Sequence, residues 1–466
     1  MKFRTRARAA AWVCAGLILL APGNTTPGAD RASTYRAQAI LLDQTLARYT
    51  AVAAQLEQFY RLLSSALKNE PQERLFTVLE PPRQLTHGYQ VLPRVLNGRS
   101  LRQKASTPTG YSWPWTDKLI TEAAQDITYL EAALDGLPGL DRAARRQLFE
   151  RAVQGYLQLR NRMQNIDAHI QYNRFWQSAI ARDRAGYDRE TQRFYRVVER
   201  DSLRQSLLSL SAPGARAEVS WLDALPGLTL LEDRLKSRDA ALTSQIDSNA
   251  ATPQIQSFLR VEQSLNGWTV KVPIYTDIED AEFVRIVKEK IEKIWHVRRA
   301  DVEFAVELNL TFISPVDLYW GEDVPNRGTT IDLERHLGLF PEDGAILTTG
   351  TVSTHVSGRA IVLGAHDIDG RILAHEFGHI LGFRDSYVRG YKDLGANGFA
   401  VLEAVIDPTD IMGRSDIGAV LPAHFEKILE QVFKKANTKN GEKKDERIPR
   451  QQFAAAGPVT LAGFGQ

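Results

Sequence analysis

Cysteine is almost absent from this chain of 466 residues. The single cysteine, Cys14, lies in an apolar run near the N-terminus that we expect to be removed on export. The mature protein would then contain no thiol, which excludes disulfide bonds and cysteine-ligated zinc. Any protein-held metal is therefore expected to depend on histidine and carboxylate ligands.

An excess of charge of one sign is also lacking. Lysine and arginine number 58 against 56 aspartate and glutamate, so the formal net charge is only +2. This balance gives no electrostatic case for a nucleic-acid partner. The arginines between residues 142 and 204 are interspersed with acids, which favours a solvated helix face. Phosphate-binding loops, dinucleotide fingerprints and nucleophile elbows are missing from the sequence as well.

No membrane-spanning run is expected near the N-terminus, because the apolar stretch at residues 9–21 is too short to cross a bilayer. Basic residues precede it at Lys2, Arg4, Arg6 and Arg8. This pattern predicts a secretory signal peptide over residues 1–29 and a secreted or periplasmic protein. An uncleaved anchor is the alternative. After signal removal nothing indicates membrane contact.

Apolar residues recur at helical spacing through the first half of the chain, at residues 33–67, 116–136, 141–210 and 228–246. Asp141 is the predicted cap of the third pattern, which forms either one extended helix or two helices broken near Gly186. We expect an all-α, coiled-coil-like bundle over residues 30–250. Its residues leave open partner binding, oligomer formation, substrate recognition and a role as a pro-segment.

The pattern changes beyond a linker at residues 247–253. Strands are predicted at residues 268–275, 302–313, 345–349, 352–356 and 360–363, and helices at residues 281–297 and 422–433. The fold class is therefore α+β, with a second domain over residues 260–435. The lysine- and glycine-containing segment 436–466 is predicted to be a mobile, solvated tail.

The chemistry is concentrated in the stretch from His375 to Asp385. On a helix, His375 and His379 lie one turn apart on one face, so both imidazoles can reach one metal ion. Glu376 beside that metal is placed to act as a general base toward a water molecule. Gly382 is expected to end the helix and let the chain bring Asp385 back as the third ligand. Three protein ligands leave one zinc position open, as in catalytic sites.

Residues 375–385, together with the later Asp410-Ile411-Met412-Gly413, resemble the metzincin zinc peptidases. The resemblance extends over residues 260–435 and implies a metzincin-like mixed-sheet catalytic domain with Met412 as the methionine turn beneath the metal. Most metzincins have a third histidine where this chain has Asp385. An aspartate in that place is similar to the small bacterial secreted proteases of the snapalysin type. The anionic ligand leaves the metal affinity and the pH optimum open.

The function expected from these residues and this resemblance is that of a secreted zinc endopeptidase, with Zn²⁺ as cofactor and Glu376 as general base. A protein or peptide substrate would pair with an edge strand at residues 350–356. Four further residues are candidates for contact with substrate: His355, Arg384, Tyr387 and Tyr391. His366 and Asp367 are expected to form a turn. One alternative is a binding or scaffold protein that recognises peptides without cleaving them. A second keeps the enzyme but makes the bundle a removable pro-segment.

Overall fold

The computed structural model describes residues 31–69, 79, 81–82, 87–96, 113–136, 139–211, 226–247, 255–320, 322–394 and 399–439. The predicted signal peptide with Cys14 lies outside these residues, as do residues 440–466 of the predicted tail. Within the described part the protein is a mixed α/β chain. We call its described residues up to 247 the helical half and those from 255 onward the sheet half.

Long helices make up most of the helical half, as the apolar periodicity predicts. They are α1 (Arg31–Lys68), α2 (Trp113–Asp135), α3 (Arg142–Arg182), α4 (Arg184–Ser211) and α5 (Pro226–Asp247). The first three share one apolar core that includes Phe59, Ile120, Phe149 and Tyr156. Helix α4 packs against α5.

Two local predictions about these helices are confirmed. The Asp141 carboxylate accepts a hydrogen bond from the Ala144 amide and caps α3. The third apolar pattern is divided into two helices at Asp183, three residues before Gly186. Asp183 accepts from the Gly186 amide at 2.8 Å, so the residue that ends α3 also caps α4.

A mixed sheet forms the centre of the sheet half. Its strands are β2 (Arg260–Ser264), β3 (Gly267–Thr276), β4 (His296–Arg299), β5 (Val302–Phe312), β6 (Ala345–Thr351), β7 (His355–Ser357) and β8 (Ala360–Gly364). Their order is β4-β5-β3-β6-β8-β7, with β2 also paired to β3. Strands β3, β5, β6 and β8 are parallel, whereas β7 runs antiparallel to β8 at one edge. The predicted strand at residues 352–356 is thus shorter and shifted to 355–357.

Helices cover this sheet. They are α6 (Ala281–Ile294), α7 (Pro315–Tyr319), α8 (Leu333–Gly338), α9 (Gly370–Ile380) and α10 (Pro422–Lys439). Helix α6 connects β3 to the β4–β5 pair and packs against α9. Helix α10 continues past residue 433, where it was predicted to end, and past residue 436, where the tail was predicted to begin. No described helix is both long enough and apolar enough to cross a membrane.

A hairpin that the sequence analysis did not predict lies after the helix α9. It consists of β10 (Tyr387–Asp393) and β11 (Phe399–Val405), paired antiparallel. It packs against α4, and the Tyr391 hydroxyl donates to Asp188 at 2.7 Å. Trp176 and Ile180 of α3 are buried with Tyr391, Phe399 and Val401 in one apolar cluster.

The two halves also meet through strands from distant parts of the sequence. Strand β1 (Val95–Leu96), which lies between α1 and α2 in the chain, pairs in parallel with β9 (Ile368–Asp369). Strand β9 leads directly into α9. The Arg94 guanidinium holds Asp367 through two hydrogen bonds of 2.7 and 3.0 Å, and Gln164 of α3 donates to the same carboxylate at 3.1 Å.

Asp167 of α3 is buried beside this contact. Its Oδ2 lies 2.5 Å from His366 Nε2 and 3.3 Å from His87 Nε2. Burial alone raises the pKa of Asp167, but the hydrogen bonds and charges of the two histidines outweigh burial and hold the pKa well below its usual range. The expectation that the acids of this region form a solvated face is therefore wrong for Asp167. His366 and Asp367 are a buried polar junction between the halves.

The substitution Asp167→Asn tests this junction. Because it removes a buried charge partner, we expect it to lower the free energy of unfolding by about 3 kcal/mol at neutral pH. A carboxyl with a lowered folded pKa stabilises the protein above its unfolded pKa, and the contribution is lost as the pH falls through the folded value. The deficit should therefore shrink progressively below about pH 4. Urea unfolding at several pH values measures it, with exposed Asp135→Asn as the control, and a deficit independent of pH would contradict the assigned role of the charge.

Candidate metal centre

Helix α9 is fixed at both ends by local interactions. At its start the Asp369 carboxylate accepts from the amides of Arg371 and Ile372, each at 2.9 Å. At its end Gly382 adopts φ of +94°, and its amide donates to the His379 carbonyl at 3.0 Å. Only glycine adopts this conformation without steric cost, so the predicted role of Gly382 is confirmed. The chain reverses here and returns toward the helix.

The three predicted ligand side chains lie together after this reversal. Asp385 Oδ1 is 3.2 Å from His375 Nε2 and 3.3 Å from His379 Nε2. The three ligand atoms all lie within 4.8 Å of one another. Among the described residues this is the one cluster of histidine, cysteine and acidic side chains close enough to hold a metal ion.

Backbone carbonyls set the orientation of both rings. His375 Nδ1 lies 2.9 Å from the Ile411 carbonyl oxygen, and His379 Nδ1 lies 2.8 Å from that of Phe383. Because a carbonyl oxygen only accepts, each Nδ1 carries a hydrogen. In the neutral ring, Nε2 then presents a lone pair to the centre of the cluster.

These lone pairs provide a test of whether a metal fits. Asp385 Oδ1 is buried without a hydrogen-bond donor when both rings are neutral. Two nitrogen lone pairs and a carboxylate oxygen repel one another unless protons or a cation lie between them. Two imidazoles and one carboxylate that line the same cleft are a donor set that suits a zinc ion. The residues therefore fit the metal.

The charges of this cluster act on one another. Burial lowers the pKa of His379, but the hydrogen bond and the charge of Asp385 outweigh burial and raise it. Burial raises the pKa of Asp385, but both histidines outweigh it and hold that pKa well below its usual range. A protonated His379 ring and an ionised Asp385 carboxylate thus stabilise each other, so protons compete with a metal for this site.

Glu376 and Tyr387 lie next to the cluster. Burial raises the pKa of Glu376, and the charge of Asp385 adds to this rise, while the histidines oppose it. The Tyr387 ring stacks on that of His375 with centroids 6.4 Å apart and planes at 11°. Burial holds the pKa of Tyr387 well above its usual range, so its hydroxyl remains a hydrogen-bond donor.

The other candidate substrate contacts separate into two groups. His355 is exposed on β7 and lines the same cleft as Glu376 and Tyr387. Tyr391 instead points to α4, where its hydroxyl donates to Asp188. Arg384 is exposed and does not line the cleft.

Met412 packs directly beneath α9. Its side chain is 1% exposed, and a Cβ added to Gly378 would lie 2.3 Å from its Sδ. The same Cβ would lie 3.2 Å from Trp295, whose indole nitrogen donates to the Ala374 carbonyl at 2.8 Å. Only a residue without a side chain at position 378 permits both contacts.

The turn at Met412 also contacts the candidate ligands and their neighbours through its backbone. The Ile411 carbonyl accepts from His375, and the Met412 carbonyl accepts from the Ser386 amide at 3.0 Å, immediately after Asp385. Residues 411–412 thereby orient two of the three candidate ligands. Contacts of this kind fix ligand orientation in metal sites.

Asp410 holds the turn itself in place. Its carboxylate accepts from the Met412 amide at 2.8 Å and from the Ser386 hydroxyl at 3.0 Å, and it lies 3.1 Å from His424 Nε2. Burial raises the pKa of Asp410, but His424 and these hydrogen bonds outweigh burial and lower it. The sequence analysis assigned no role to Asp410, Ser386 or His424. Asp410 has a recognisable sequence signal, because an aspartate side chain often accepts a hydrogen bond from the amide two residues later and so closes a turn.

A cleft of about 960 Å³ opens above the cluster. His375, Glu376, His379 and Asp385 line it, and so do residues 351–356, which include the start of the edge strand β7. The cleft is large enough for several residues of an extended peptide.

A scan against protein-family models and searches of curated proteins and solved structures gave no match. Any assignment of function to this chain therefore depends on the residues of the site and their geometry.

The contact between Gly378 and Met412 is testable by a double-mutant cycle. In an exposed helix Gly→Ala stabilises by up to about 1 kcal/mol, but here we expect Gly378→Ala to destabilise by about 1–3 kcal/mol through overpacking. Met412→Ala should cost about 2–5 kcal/mol. The double variant should lose about 1 kcal/mol less stability than the sum of the two single losses, because the added methyl group enters the space vacated by the methionine side chain. Urea unfolding measures all four proteins, and strict additivity would show that the two residues do not compete for one volume.

Proposed function

We propose that this protein is an extracytoplasmic zinc endopeptidase whose sheet half is a metzincin-like catalytic domain. His375, His379 and Asp385 hold the zinc ion. The observation that carries the proposal is the convergence of three lone-pair atoms, two of which belong to imidazole rings oriented by the carbonyls of Ile411 and Phe383.

The arrangement of the fold supports the same proposal. The resemblance implies a mixed sheet with an antiparallel strand at the edge beside the site, a helix carrying both histidines and a methionine beneath that helix. Strand β7, helix α9 and Met412 are in accord with these three features. In this proposal the finer fold class is an N-terminal helical bundle followed by a metzincin-like domain. A peptide substrate pairs with β7 along its free edge, main chain to main chain.

A bound zinc ion would supply Lewis-acid polarisation of a carbonyl oxygen and would lower the pKa of a water molecule. The protein's own contribution is the movement of protons. The Glu376 carboxylate takes a proton from the attacking water and delivers it to the leaving amide nitrogen. In this proposal the Tyr387 hydroxyl, which lines the cleft and is kept protonated by burial, donates a hydrogen bond to the oxygen of the peptide bond under attack.

The cellular location remains part of the proposal. The basic and apolar pattern of residues 1–21 supports export, and the lack of thiols in the rest of the chain is compatible with an oxidising compartment. The partner in this proposal is a protein or peptide substrate, with no role for nucleic acid.

The decisive experiment is the substitution Glu376→Gln. We expect it to leave zinc binding intact, since Glu376 is not a ligand, and to reduce kcat/KM for a denatured protein substrate by a factor of about 10²–10⁴. Zinc content of the purified protein and fluorogenic substrate hydrolysis are the two measurements. Exposed Glu279→Gln is the matched control and should leave both unchanged.

The outcomes separate the proposal from its alternative. Hydrolysis that survives Glu376→Gln would reject the assigned general base. A wild-type protein that binds zinc and peptide but hydrolyses neither peptides nor denatured proteins would be the peptide-recognising scaffold instead.

A second experiment addresses Asp385 as a ligand. We expect Asp385→Ala to reduce zinc affinity at least about a hundredfold, because even outer contacts of metal ligands contribute ten- to a hundredfold. The zinc affinity of Asp385→Asn should lie between those of wild type and Asp385→Ala, because an amide oxygen is a neutral ligand. Affinity is measured by competition with a chelating dye, with exposed Asp323→Ala as the control. Equal affinity in wild type and Asp385→Ala would remove Asp385 from the ligand set.

A further inference from the structure

The cleft above the candidate metal centre has a second wall, which comes from the helical half. The residues of α3 that line it are Gln171, Arg174, Phe175 and Ser178. Residues 351–356 and the three candidate metal ligands line the same cleft. These four positions have the spacing i, i+3, i+4 and i+7, so they form one continuous face of the helix. One face of α3 is therefore directed toward the place where a substrate would lie.

This face is held between two buried contacts. On its N-terminal side, Gln164 and Asp167 contact Asp367 and His366, just before β9 and α9. On its C-terminal side, Trp176 and Ile180 are buried against the hairpin β10–β11. Both contacts join α3 to segments that flank the candidate ligands in sequence. The wall is thus fixed relative to the three candidate metal ligands. Removal of the helical half would open the cleft and expose the apolar cluster around Trp176.

The positive charges that line the cleft differ in their surroundings. Arg389 donates to Glu403 at 2.9 Å and lies over the Tyr387 ring, with its guanidinium carbon 4.4 Å from the centroid. Arg174 is exposed, and no carboxylate of the described residues forms an ion pair with it.

The negative groups of the cleft do not neutralise Arg174. Asp367 is paired with Arg94, and Asp385 lies between the two histidines. Glu376 is the proposed general base. The α3 wall therefore presents a guanidinium that has no carboxylate partner among the described residues, next to the exposed ring of Phe175.

We propose that α3 forms a substrate-binding wall and that Arg174 binds a carboxylate of the peptide substrate. A guanidinium binds a carboxylate through two parallel hydrogen bonds, and the neighbouring ring offers apolar surface to the aliphatic part of an acidic side chain. The carboxylate comes from an aspartate or glutamate side chain or from the C-terminus of a short peptide. This inference rests on the proposed peptidase function and gives the helical half a part in substrate selection.

Two sets of decapeptides with one neutral background test the inference. In the first set both ends are blocked and a single glutamate, glutamine or lysine is moved along the sequence. In the second set the residues are neutral and the C-terminus is either free or amidated. If the carboxylate comes from a side chain, we expect the wild-type kcat/KM at the best position to be about tenfold higher for glutamate than for glutamine. If it comes from the peptide end, we expect kcat/KM to be about tenfold higher for the free than for the amidated C-terminus. The set that shows the preference identifies the source of the carboxylate.

The variants then assign the preference to Arg174. Arg174→Gln should bring the ratio close to one, and Arg174→Glu should favour lysine over glutamine. Exposed Arg142→Gln, at the start of the same helix, is the matched control and should keep the wild-type ratio. Because Arg174 is exposed, its substitutions should not change the thermal unfolding midpoint. A ratio that stays at the wild-type value in Arg174→Gln would overturn the inference.

A binding measurement distinguishes this failure from failure of the proposed function. Fluorescence anisotropy of labelled decapeptides on the Glu376→Gln protein reports affinity without hydrolysis. If no protein in the series hydrolyses any peptide, the peptidase proposal fails. The ratio of the affinities for the glutamate and glutamine peptides still reports on Arg174. The carboxylate site at Arg174 would be rejected by equal affinity for all peptides, or by a ratio that Arg174→Gln leaves unchanged.

Discussion

The candidate metal centre depends on a missing side chain at position 378. Because Gly378 lacks a Cβ, the sulfur of Met412 and the indole of Trp295 can both contact the helix that carries His375 and His379. Trp295 lies at the end of α6 and is surrounded by Phe377, Phe383, His424 and Phe425. One close approach therefore joins three parts of the sheet half that are far apart in sequence. A packed interior transmits a displacement at any one of them to the three candidate ligands.

The turn at residues 410–413 combines packing with hydrogen bonding. Met412 fills the space beneath α9, while the carbonyls of Ile411 and Met412 accept from His375 and Ser386. Asp410 then fixes the turn through Ser386 and His424. The position of Asp385 relative to the two histidines is consequently set by backbone groups, which change less with sequence than side chains do. The Asp385 carboxylate is thereby held beside the two imidazoles, and among the described residues no further acidic group belongs to this cluster.

Much of the architecture was predictable because it depends on short-range patterns. Alternation predicted β3 and β5, a helical stripe predicted α6, and Gly382 marked the end of α9. The spacing of His375 and His379 alone predicts that both rings lie on one face of a helix. These features need only the local geometry of helices and strands.

What the sequence analysis missed depends on long-range contacts. The hairpin β10–β11 was not predicted because Gly390 interrupts its first strand and its buried face is covered by α4 rather than by the sheet. Asp167 was expected to be solvated because its histidine partners lie about 80 and 200 residues away, beyond any pattern in one sequence. For the same reason nothing in α3 indicated that one of its faces lines the cleft.

The pairing of β1 with β9 places a condition on how the chain folds. Arg94 and Asp367 are separated by 273 residues, and Gln164 reaches the same carboxylate across 203. Contacts between residues so far apart in sequence form late, because the intervening chain must first be ordered. Such contacts therefore reduce the rate of folding. During synthesis the helical half emerges first, yet its third helix cannot complete the cleft until the other lining residues, which lie between 351 and 415, have also been made. The site is therefore assembled at the end of folding, and incomplete chains carry only fragments of it.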